Sequence, residues 1–347
     1  MHRFLCVALF ALVGLSRTEA QTLEDLGTWG WSGCYPEAVS GDGSIVVGSA
    51  TYSSVWHAFR WTPSTGLVDI VPTLGMYWAV ARYITRGGTY IAGYKFTPSG
   101  NRAAVWSSAG LSLFEPSSSY TSSYAEAMSE SGTSVYGVLE QPGQRAVAWI
   151  NGVLRYPTHL PGMNNSSFRG CSSDGRFAVG NQWDSNDPWL TKGFVYARDT
   201  QAVIDIGSLQ GQYTILEAIS SSGRFAFGTS VVNGVGHGVR WSAKFGLEDL
   251  TPRTTAEILF TAANKDGTAA VGRSGEAIYW STTTGLITLR ELAIRRGVAV
   301  GPWEFISATG ISDEGNTIVG YGYTPSGARG FRMTLPKVRQ RDFLFGS

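Results

Sequence analysis

The sequence is poor in charge, and the charges that it has nearly cancel. Only 15% of its 347 residues are charged, with 27 Lys and Arg against 26 Asp and Glu. Residues 1–20 contain two Arg and one Glu, so the rest of the chain carries 25 basic and 25 acidic residues. A protein that grips nucleic acid or an anionic membrane over its whole surface needs a large positive excess. The balance therefore argues against both kinds of partner.

Cysteine is scarce, and histidine has no metal-binding spacing. Beyond residue 20 the chain has only Cys34 and Cys171, in the first and fourth of the seven repeats described below. A disulfide needs Cα atoms within about 7 Å, whereas these two repeats would lie on nearly opposite sides of a ring. We therefore expect two buried or half-buried thiols. No Cys or His spacing matches a zinc site, so we predict neither a metal nor a cofactor.

Long apolar runs are absent, apart from a short one at the N-terminus. Residues 4–15 form an apolar run that follows Arg3 and precedes Thr18-Glu19-Ala20. This pattern is typical of an export signal, and the run is too short to span a bilayer. We predict a signal peptide over residues 1–20 that is cleaved near Ala20. The mature chain would have no transmembrane anchor and would be secreted, periplasmic or at the cell surface.

Glycine, in contrast, is abundant and periodic. Seven glycines recur 43 to 48 residues apart, and each follows another glycine by five positions. The later glycines are Gly48, Gly93, Gly137, Gly180, Gly228, Gly272 and Gly320, and the earlier ones are Gly43, Gly88, Gly132, Gly175, Gly223, Gly267 and Gly315. Strand-like repeats of about 40 to 50 residues are typical of a β-propeller, in which each repeat is one blade.

Each repeat contains two hairpins, and hence four strands, A to D. A Ser, Thr or Asn opens the A–B turn, and the earlier glycine closes it because φ is expected to be positive there. We expect the later glycine to end strand B. Strand C carries a large side chain that should pack between blades, namely Trp61, Trp106, Trp149, Tyr196, Trp241, Trp280 and Met333.

The seventh repeat stops after strand C, at Leu335, and the missing strand D is at the other end of the chain. Thr22-Leu-Glu-Asp-Leu26 closely matches the strand D sequence at residues 246–250. The sequence therefore predicts an all-β, seven-bladed propeller with four-stranded antiparallel blades, in which strand 22–26 completes the last blade and closes the ring. It would be a monomer with a single domain over residues 21–336 and a C-terminal tail over 337–347.

The repeat resembles a known bacterial motif. The units Ala38-Val-Ser-Gly-Asp-Gly43 and His57-Ala-Phe-Arg-Trp61, followed by Gly66-Leu-Val-Asp-Ile70, are similar to the HAF repeat, which is named for its His-Ala-Phe triplet. The similarity spans essentially the whole mature chain, although the triplet itself occurs once. The resemblance implies an extracellular bacterial repeat protein and brings no catalytic residues. Sialidase-type Asp boxes do not match, because no Thr-Trp follows the turn glycine.

Two sets of equivalent polar residues are candidates for ligand binding. The A–B and C–D turns are short and nearly constant, so they define a plain face, whereas the B–C and D–A connections define a variable face that favours function. At the start of strand A, charges alternate over five blades as Glu37, Arg82, Glu126, Arg169 and Glu217, followed by Thr261 and Thr309. Either a structural belt of ion pairs or a polar-ligand site would explain this pattern. At the start of strand C lie His57, Arg102, Arg145, Lys192, His237, Glu276 and Arg329. These side chains are either solvated residues at strand ends or a set of cationic groups that attracts an anionic polymer.

Aromatic side chains crowd the connections of the variable face, where they could stack on sugars or contact a protein. They are Trp29, Trp31, Tyr35, Tyr77, Trp78, Trp183, Trp189 and Trp303. Asp184, Asn186 and Asp187 supply too few oxygens for a calcium site by themselves. Residues 289–296 have helical spacing, with Leu289, Leu292 and Ile294 on one face, and should form a lid or packing helix.

These features favour a non-enzymatic exported propeller that binds a glycan or an extracellular protein. One alternative is a lyase or glycosidase, which needs paired carboxylates about 5 to 10 Å apart. Glu37, Glu126 and Glu217 are the candidates, but each neighbours an Arg that should keep it ionised and unsuited to act as an acid. Another alternative is a structural or adhesin-like surface module.

Overall fold

The computed structural model describes residues 22–28, 30, 32–52, 55–71, 78–211 and 213–336. These residues form seven antiparallel sheets of four strands each, arranged as the seven blades of a propeller. The predicted signal peptide and C-terminal tail lie outside the described residues. Within them, no helix is long and apolar enough to cross a bilayer.

Six blades are built from four consecutive strands each. Blade 1 comprises β2 (Gly33–Val39), β3 (Val46–Tyr52), β4 (Val55–Thr62) and β5 (Gly66–Asp69), and blade 2 comprises β6 (Ala79–Ile84), β7 (Ile91–Thr97), β8 (Gly100–Ser107) and β9 (Gly110–Phe114). Blade 3 comprises β10 (Ser122–Met128), β11 (Ser134–Glu140), β12 (Gln144–Ile150) and β13 (Val153–Arg155), and blade 4 comprises β14 (Asn165–Cys171), β15 (Phe177–Asp184), β16 (Asp187–Ala197) and β17 (Ala202–Asp205). Blade 5 comprises β18 (Thr214–Ile219), β19 (Ala226–Val232), β20 (Val235–Ser242) and β21 (Gly246–Asp249), and blade 6 comprises β22 (Leu259–Ala263), β23 (Ala269–Ser274), β24 (Glu276–Ser281) and β25 (Gly285–Thr288).

Blade 7 joins the two ends of the chain. Its strands are β26 (Glu304–Ile311), β27 (Thr317–Thr324), β28 (Gly327–Thr334) and the N-terminal β1 (Thr22–Asp25). Strand β1 pairs antiparallel with β28, from Thr22 opposite Thr334 to Asp25 opposite Phe331. The predicted closure is confirmed. It leaves β28 with a neighbour on both sides, so blade 7 has the same four strands as the other blades.

Every strand A contains a β-bulge, and the later glycine of each repeat lies opposite it. The ladder shifts register at Glu37, Arg82, Glu126, Arg169, Glu217, Thr261 and Thr309. The residue before each bulge pairs with the glycine, as Pro36 does with Gly48. A Cβ on any of these seven glycines would lie 1.9 to 2.2 Å from a backbone oxygen of strand A. The prediction that these glycines end strand B was wrong, since they lie inside it and make room for the bulge.

The other sequence signals mark the turns and the core. The earlier glycine of each A–B turn has positive φ, between 65° and 77°, as predicted. The large side chains of strand C are buried in the blade cores, except that Trp241 is half-buried. Cys34 and Cys171 are buried thiols in different blades.

The predicted helix forms as α1 (Leu289–Arg295), between blades 6 and 7. It begins after Thr288, whose hydroxyl accepts a hydrogen bond from the Glu291 amide at 3.1 Å. Leu289, Leu292 and Ala293 are buried, so α1 packs against the sheets, as expected of a packing helix. The predicted face was wrong at Ile294, which is 61% exposed.

Candidate functional site

The bulges place one side chain from each blade in the central channel. The seven bulge residues are the whole set predicted at the start of strand A, and all seven line one cavity of about 270 Å³. We call them the channel ring. They lie inside strand A and not at its entrance, which corrects their predicted position. A bulge adds one unpaired residue to the strand and re-aims the side chain of that residue. In every blade, the side chain at this position therefore faces the channel.

The charged part of the channel ring is only loosely paired. Arg82 Nη1 lies 3.6 Å from Glu37 Oε1, and Arg169 Nε lies 3.6 Å from Glu217 Oε2. Among the described residues, Glu126 makes no ion pair, although it is flanked by the two arginines along the ring. These distances exceed those of tight charge-assisted hydrogen bonds. The belt therefore leaves polar atoms for a ligand.

The two threonines complete the ring without charge. Thr261 donates its hydroxyl hydrogen to the carbonyl of Ala308 at 2.6 Å, and Thr309 donates to Pro36 at 2.8 Å. Both bonds reach the strand A of the next blade. They join blades 6, 7 and 1 in the part of the ring where no ion pair forms.

Burial changes the acid–base character of the ring. It raises the pKa of Glu37 from its usual 4.5 to about 7, because desolvation outweighs the attraction of Arg82 and because Glu126 adds repulsion. Burial likewise raises the pKa of Glu217, against the opposing effect of Arg169. We had expected a neighbouring Arg to keep each carboxylate ionised. At Glu37 and Glu217 the effect of burial on the pKa exceeds the opposing effect of the Arg.

Replacement of Glu37 by Gln should stabilise the protein by an amount that grows with pH. Between pH 4.5 and about 7 the folded protein keeps a proton on Glu37 that the unfolded chain releases. The wild-type free energy of unfolding therefore falls as pH rises through this range, and the effect is complete above the folded pKa. Gln binds no proton, so we expect the advantage of Glu37→Gln in urea unfolding to rise between pH 4.5 and 7 and then stay constant. Glu314→Gln, at an exposed turn, is the control, and a pH-independent advantage of Glu37→Gln would contradict the raised pKa.

At the plain-face end of the channel, the A–B turns of neighbouring blades are hydrogen-bonded to one another. At every junction between neighbouring blades, a backbone amide of one turn donates to the turn of the next blade. Six acceptors are carbonyls and one is a carboxylate: Gly41 to Arg86, Arg86 to the Glu130 side chain, Glu130 to Ser173, Ser173 to Ser221, Ser222 to Lys265, Lys265 to Asp313, and Asp313 to Gly41. The seven turns thus form a closed circle.

Three side chains bridge this circle from within. The Arg86 side chain of blade 2 extends past blade 1 to blade 7. There its Nε donates a hydrogen bond to Asp313 Oδ1 at 2.7 Å. Its Nη2 also donates to the carbonyl of Ile311 at 3.1 Å. From blade 5, Ser221 donates its hydroxyl hydrogen to the same Asp313 oxygen at 3.1 Å. Arg86 and Ser221 form the floor of the channel cavity.

A larger cleft lies on the variable face, over blades 4 and 5. Its volume is about 760 Å³, and Trp183, Trp189, Tyr213 and Glu257 line it together with Arg169 and Glu217 of the channel ring. The two tryptophans lie on β15 and β16. Strand β16 has eleven residues, and its ladder with β15 shifts register between the pairs Trp183–Thr191 and Asp184–Asp187, so Trp189 lies in unpaired residues of the hairpin. The Trp189 side chain is 75% exposed, and its ring meets that of Tyr213 at 66° with centroids 6.3 Å apart. The cleft combines an aromatic wall with charged groups.

The residues at the start of strand C are neither simple solvated strand ends nor a free cationic patch for an anionic polymer, the two roles that we predicted. Four of them pair with a carboxylate at the end of strand D: His57 with Asp69 at 2.9 Å, Lys192 with Asp205 at 2.8 Å, His237 with Asp249 at 2.8 Å, and Arg329 with Asp25 at 3.5 Å. Arg102 pairs in the same way with Glu115. Arg145 instead donates to the carbonyl of Pro157 and contacts the ring of His159. These contacts engage most of the ring with a side chain or carbonyl of its own blade, so we do not place an anion site there.

The strand D aspartates also fix the backbone of the next loop. In Asp69, Asp205, Asp249 and Asp25, the other carboxylate oxygen accepts a hydrogen bond from the amide two residues later, at 2.7 to 2.9 Å. Each aspartate therefore ties strand C to the start of the D–A connection. The Gly-Leu-x-Asp pattern, which the sequence has at Asp69 and Asp249, was the signal for this structural pair in two of the four blades.

The remaining candidates divide between core and surface. Trp303 is buried against Phe305 and belongs to the core. Trp78 stacks on Phe96, and Tyr35 packs against Trp56 and Tyr321. Trp29, Trp31 and Tyr77 lie outside the described residues. Asp184 accepts hydrogen bonds from Asn186 within its own turn, and the described residues contain no cluster of three or more His, Cys, Asp or Glu side chains placed to hold a metal.

Sequence reasoning missed several residues of the two cavities. Tyr213 and Glu257 lie in the D–A connections before blades 5 and 6, where no periodic pattern marks them. Arg86 and Asp313 occupy the second position of an A–B turn, which is a different residue type in nearly every blade. Only the folded ring brings Arg86 and Asp313 together across 227 residues.

Comparison with known proteins bears on the architecture. No protein-family model and no curated protein matches the chain. Among solved structures it is similar to an oligogalacturonate lyase in complex with manganese, with a TM-score of 0.61, 10% identity, and coverage of 91% of this chain and 93% of that one. The likeness is one of fold. The oligogalacturonate lyase of Vibrio parahaemolyticus gives a TM-score of 0.61 at 11% identity over 91% and 94% of the two chains, and a chain of the mitotic checkpoint complex gives 0.53 at 8% over 96% and 98%. Such identities assign neither an activity nor a ligand.

Proposed function

We propose that this protein is an exported, monomeric propeller that binds a glycan in the variable-face cleft and does so without catalysis. The single observation that carries the proposal is the composition of the cleft. Trp183, Trp189 and Tyr213 present aromatic rings beside Arg169 and Glu217. Aromatic faces stack on the apolar faces of sugar rings, while charged side chains bond their hydroxyls.

The size and exposure of the cleft support the same conclusion. A volume of about 760 Å³ falls within the usual range for small-ligand sites, about 300 to 1,000 Å³. The Trp189 indole is 75% exposed, and removing its apolar surface from water by covering it with a ligand is energetically favourable. Export by a signal peptide at residues 1–20 and membership of the HAF-repeat family are parts of this proposal, and both rest on the sequence.

Replacement of Trp189 by Ala should weaken glycan binding about tenfold or more, because the indole supplies the largest exposed stacking surface in the cleft. Binding would be measured on a glycan array and by calorimetry with cellohexaose, chitohexaose and hexagalacturonate. Phe245→Ala is the matched control, since Phe245 is 59% exposed in a C–D turn on the plain face. Equal binding by wild type and Trp189→Ala, or no glycan binding by wild type, would contradict the proposal. Capture of an extracellular protein in place of glycans would favour the interaction-module alternative.

A polysaccharide lyase or glycosidase remains a second candidate, favoured by the pKa of about 7 at Glu37. A carboxyl with such a pKa can exchange protons near neutral pH. Product analysis by mass spectrometry in the same binding mixtures separates the two functions. Shortened saccharides that form with wild type and not with Glu37→Gln would establish the enzyme, whereas intact saccharides would support binding alone.

A further inference from the structure

The channel cavity and the cleft border on each other. Arg169 and Glu217 line both the channel cavity and the cleft. Their side chains, 3.6 Å apart, therefore stand where the two cavities meet. A ligand that lies along Trp189 and Tyr213 has the channel as its continuation.

Side chains span the plain-face end of the channel. Its walls are strand A residues of the blades, and its floor is formed by Arg86 and Ser221. Below them, the circle of hydrogen bonds between A–B turns and the contact of Arg86 with Asp313 bridge the plain-face opening. A polymer cannot pass through such a channel. Only the end of a chain can enter it.

The channel also has the volume and the chemistry for one terminal unit. A volume of about 270 Å³ lies just below the usual range for small-ligand sites, about 300 to 1,000 Å³, which suits one sugar unit. The wall alternates carboxylates, which accept hydrogen bonds, with guanidinium groups, which donate them. Sugar hydroxyls do both. Glu126, which makes no ion pair among the described residues, is the carboxylate whose oxygens are least engaged.

We propose that the channel binds the terminal sugar of a glycan whose following units lie in the cleft against Trp189 and Tyr213. This inference rests on the proposed function and makes it more specific: the protein recognises a chain end and not an internal segment. The terminal unit is polyhydroxylated, and its hydroxyls bond to Glu126 and to the arginines on either side, Arg82 and Arg169.

Coupling one hexasaccharide in two orientations tests the inference. Cellohexaose, chitohexaose and hexagalacturonate are first compared in solution, and the one that binds wild type best is chosen. It is then attached to a sensor surface through its reducing end and, on a separate surface, through its non-reducing end. We expect binding when one end is free and at least a tenfold loss when that same end is coupled. Equal affinity in both orientations would overturn the inference and leave the proposed function intact. Absence of binding by any glycan, free or coupled, would overturn both.

Variants locate the end-binding site. Glu126→Gln keeps the size of the side chain and removes its charge, and we expect it to weaken binding of the free hexasaccharide about tenfold. Glu314→Gln on the plain face is the matched control and should bind as wild type does. Orientation dependence that persists unchanged in Glu126→Gln, with wild-type affinity, would place the end site outside the channel and overturn the inference. Urea unfolding of each variant shows whether a loss of affinity comes from a loss of folding.

Discussion

Deletion of residues 22–26 should abolish the cooperative unfolding of the propeller. The deletion removes β1, which leaves β28 with an unpaired edge and takes Leu23 and Leu26 out of the cores of blades 7 and 1. It also breaks the ion pairs of Glu24 with Arg332 and of Asp25 with Arg329. Loss of one large buried aliphatic side chain alone costs about 2 to 5 kcal/mol, which is a large part of the stability of a typical domain. Urea unfolding followed by circular dichroism measures the effect.

Addition of the missing strand as a peptide provides the control. A peptide of residues 21–28 should restore a cooperative transition in the deleted protein, because it can pair with β28 in the original register. The same peptide with Leu23→Asp and Leu26→Asp should not restore it. A wild-type transition in the deleted protein without peptide would show that ring closure does not depend on β1.

Replacement of Gly137 by Ala should cost at least about 2 kcal/mol of stability. The added Cβ would lie 1.9 Å from the backbone oxygen of Tyr124, so strand A of blade 3 would have to move away from strand B. Tyr124 and the bulge residue Glu126 belong to that strand, and we expect the displacement to alter the channel ring as well. The midpoint of urea unfolding measures the loss.

A glycine of strand A provides the control, because it separates crowding from the general effect of an added methyl group. Gly170 lies after the bulge of blade 4, and a Cβ there would approach its neighbours no closer than 3.6 Å. Gly170→Ala should leave the midpoint unchanged or raise it slightly, since Ala restricts the unfolded chain. Equal destabilisation by both substitutions would argue against the close approach at Gly137 as the cause.

The number of blades, the closing strand and the turn conformations could be predicted from the sequence because each depends on local chemistry. A glycine with positive φ marks a turn wherever it occurs, and the match between residues 22–26 and 246–250 identifies a strand without reference to the rest of the fold. The bulge could not be predicted in this way. A glycine such as Gly48 is equally compatible with the end of a strand and with its interior. Only the pairing of strands A and B shows that Gly48 lies opposite Pro36 and Glu37.

The candidate site was predicted in part. The alternation of Glu and Arg across the blades was visible at the spacing of the repeat, and Trp183 and Trp189 were visible as aromatic residues in a long connection. The partners of His57 and Arg102 were not assigned, because the pairing joins strands C and D and requires the register of both. The raised pKa of Glu37 depends on how far the channel buries it, which the order of residues does not reveal.

The pairing of bulge and glycine has a consequence for how propellers of this kind diversify. The glycine and the backbone of strand A maintain the bulge, whereas the side chain at the bulge position faces the channel and, in blades 6 and 7, also bonds to the next blade. Glutamate, arginine and threonine all occupy this position within one molecule. The lining of the channel can therefore change one residue at a time while the architecture stays the same. Relatives built on the same repeat could differ in ligand preference by substitution at seven known positions, and those positions can be read directly from the glycine spacing.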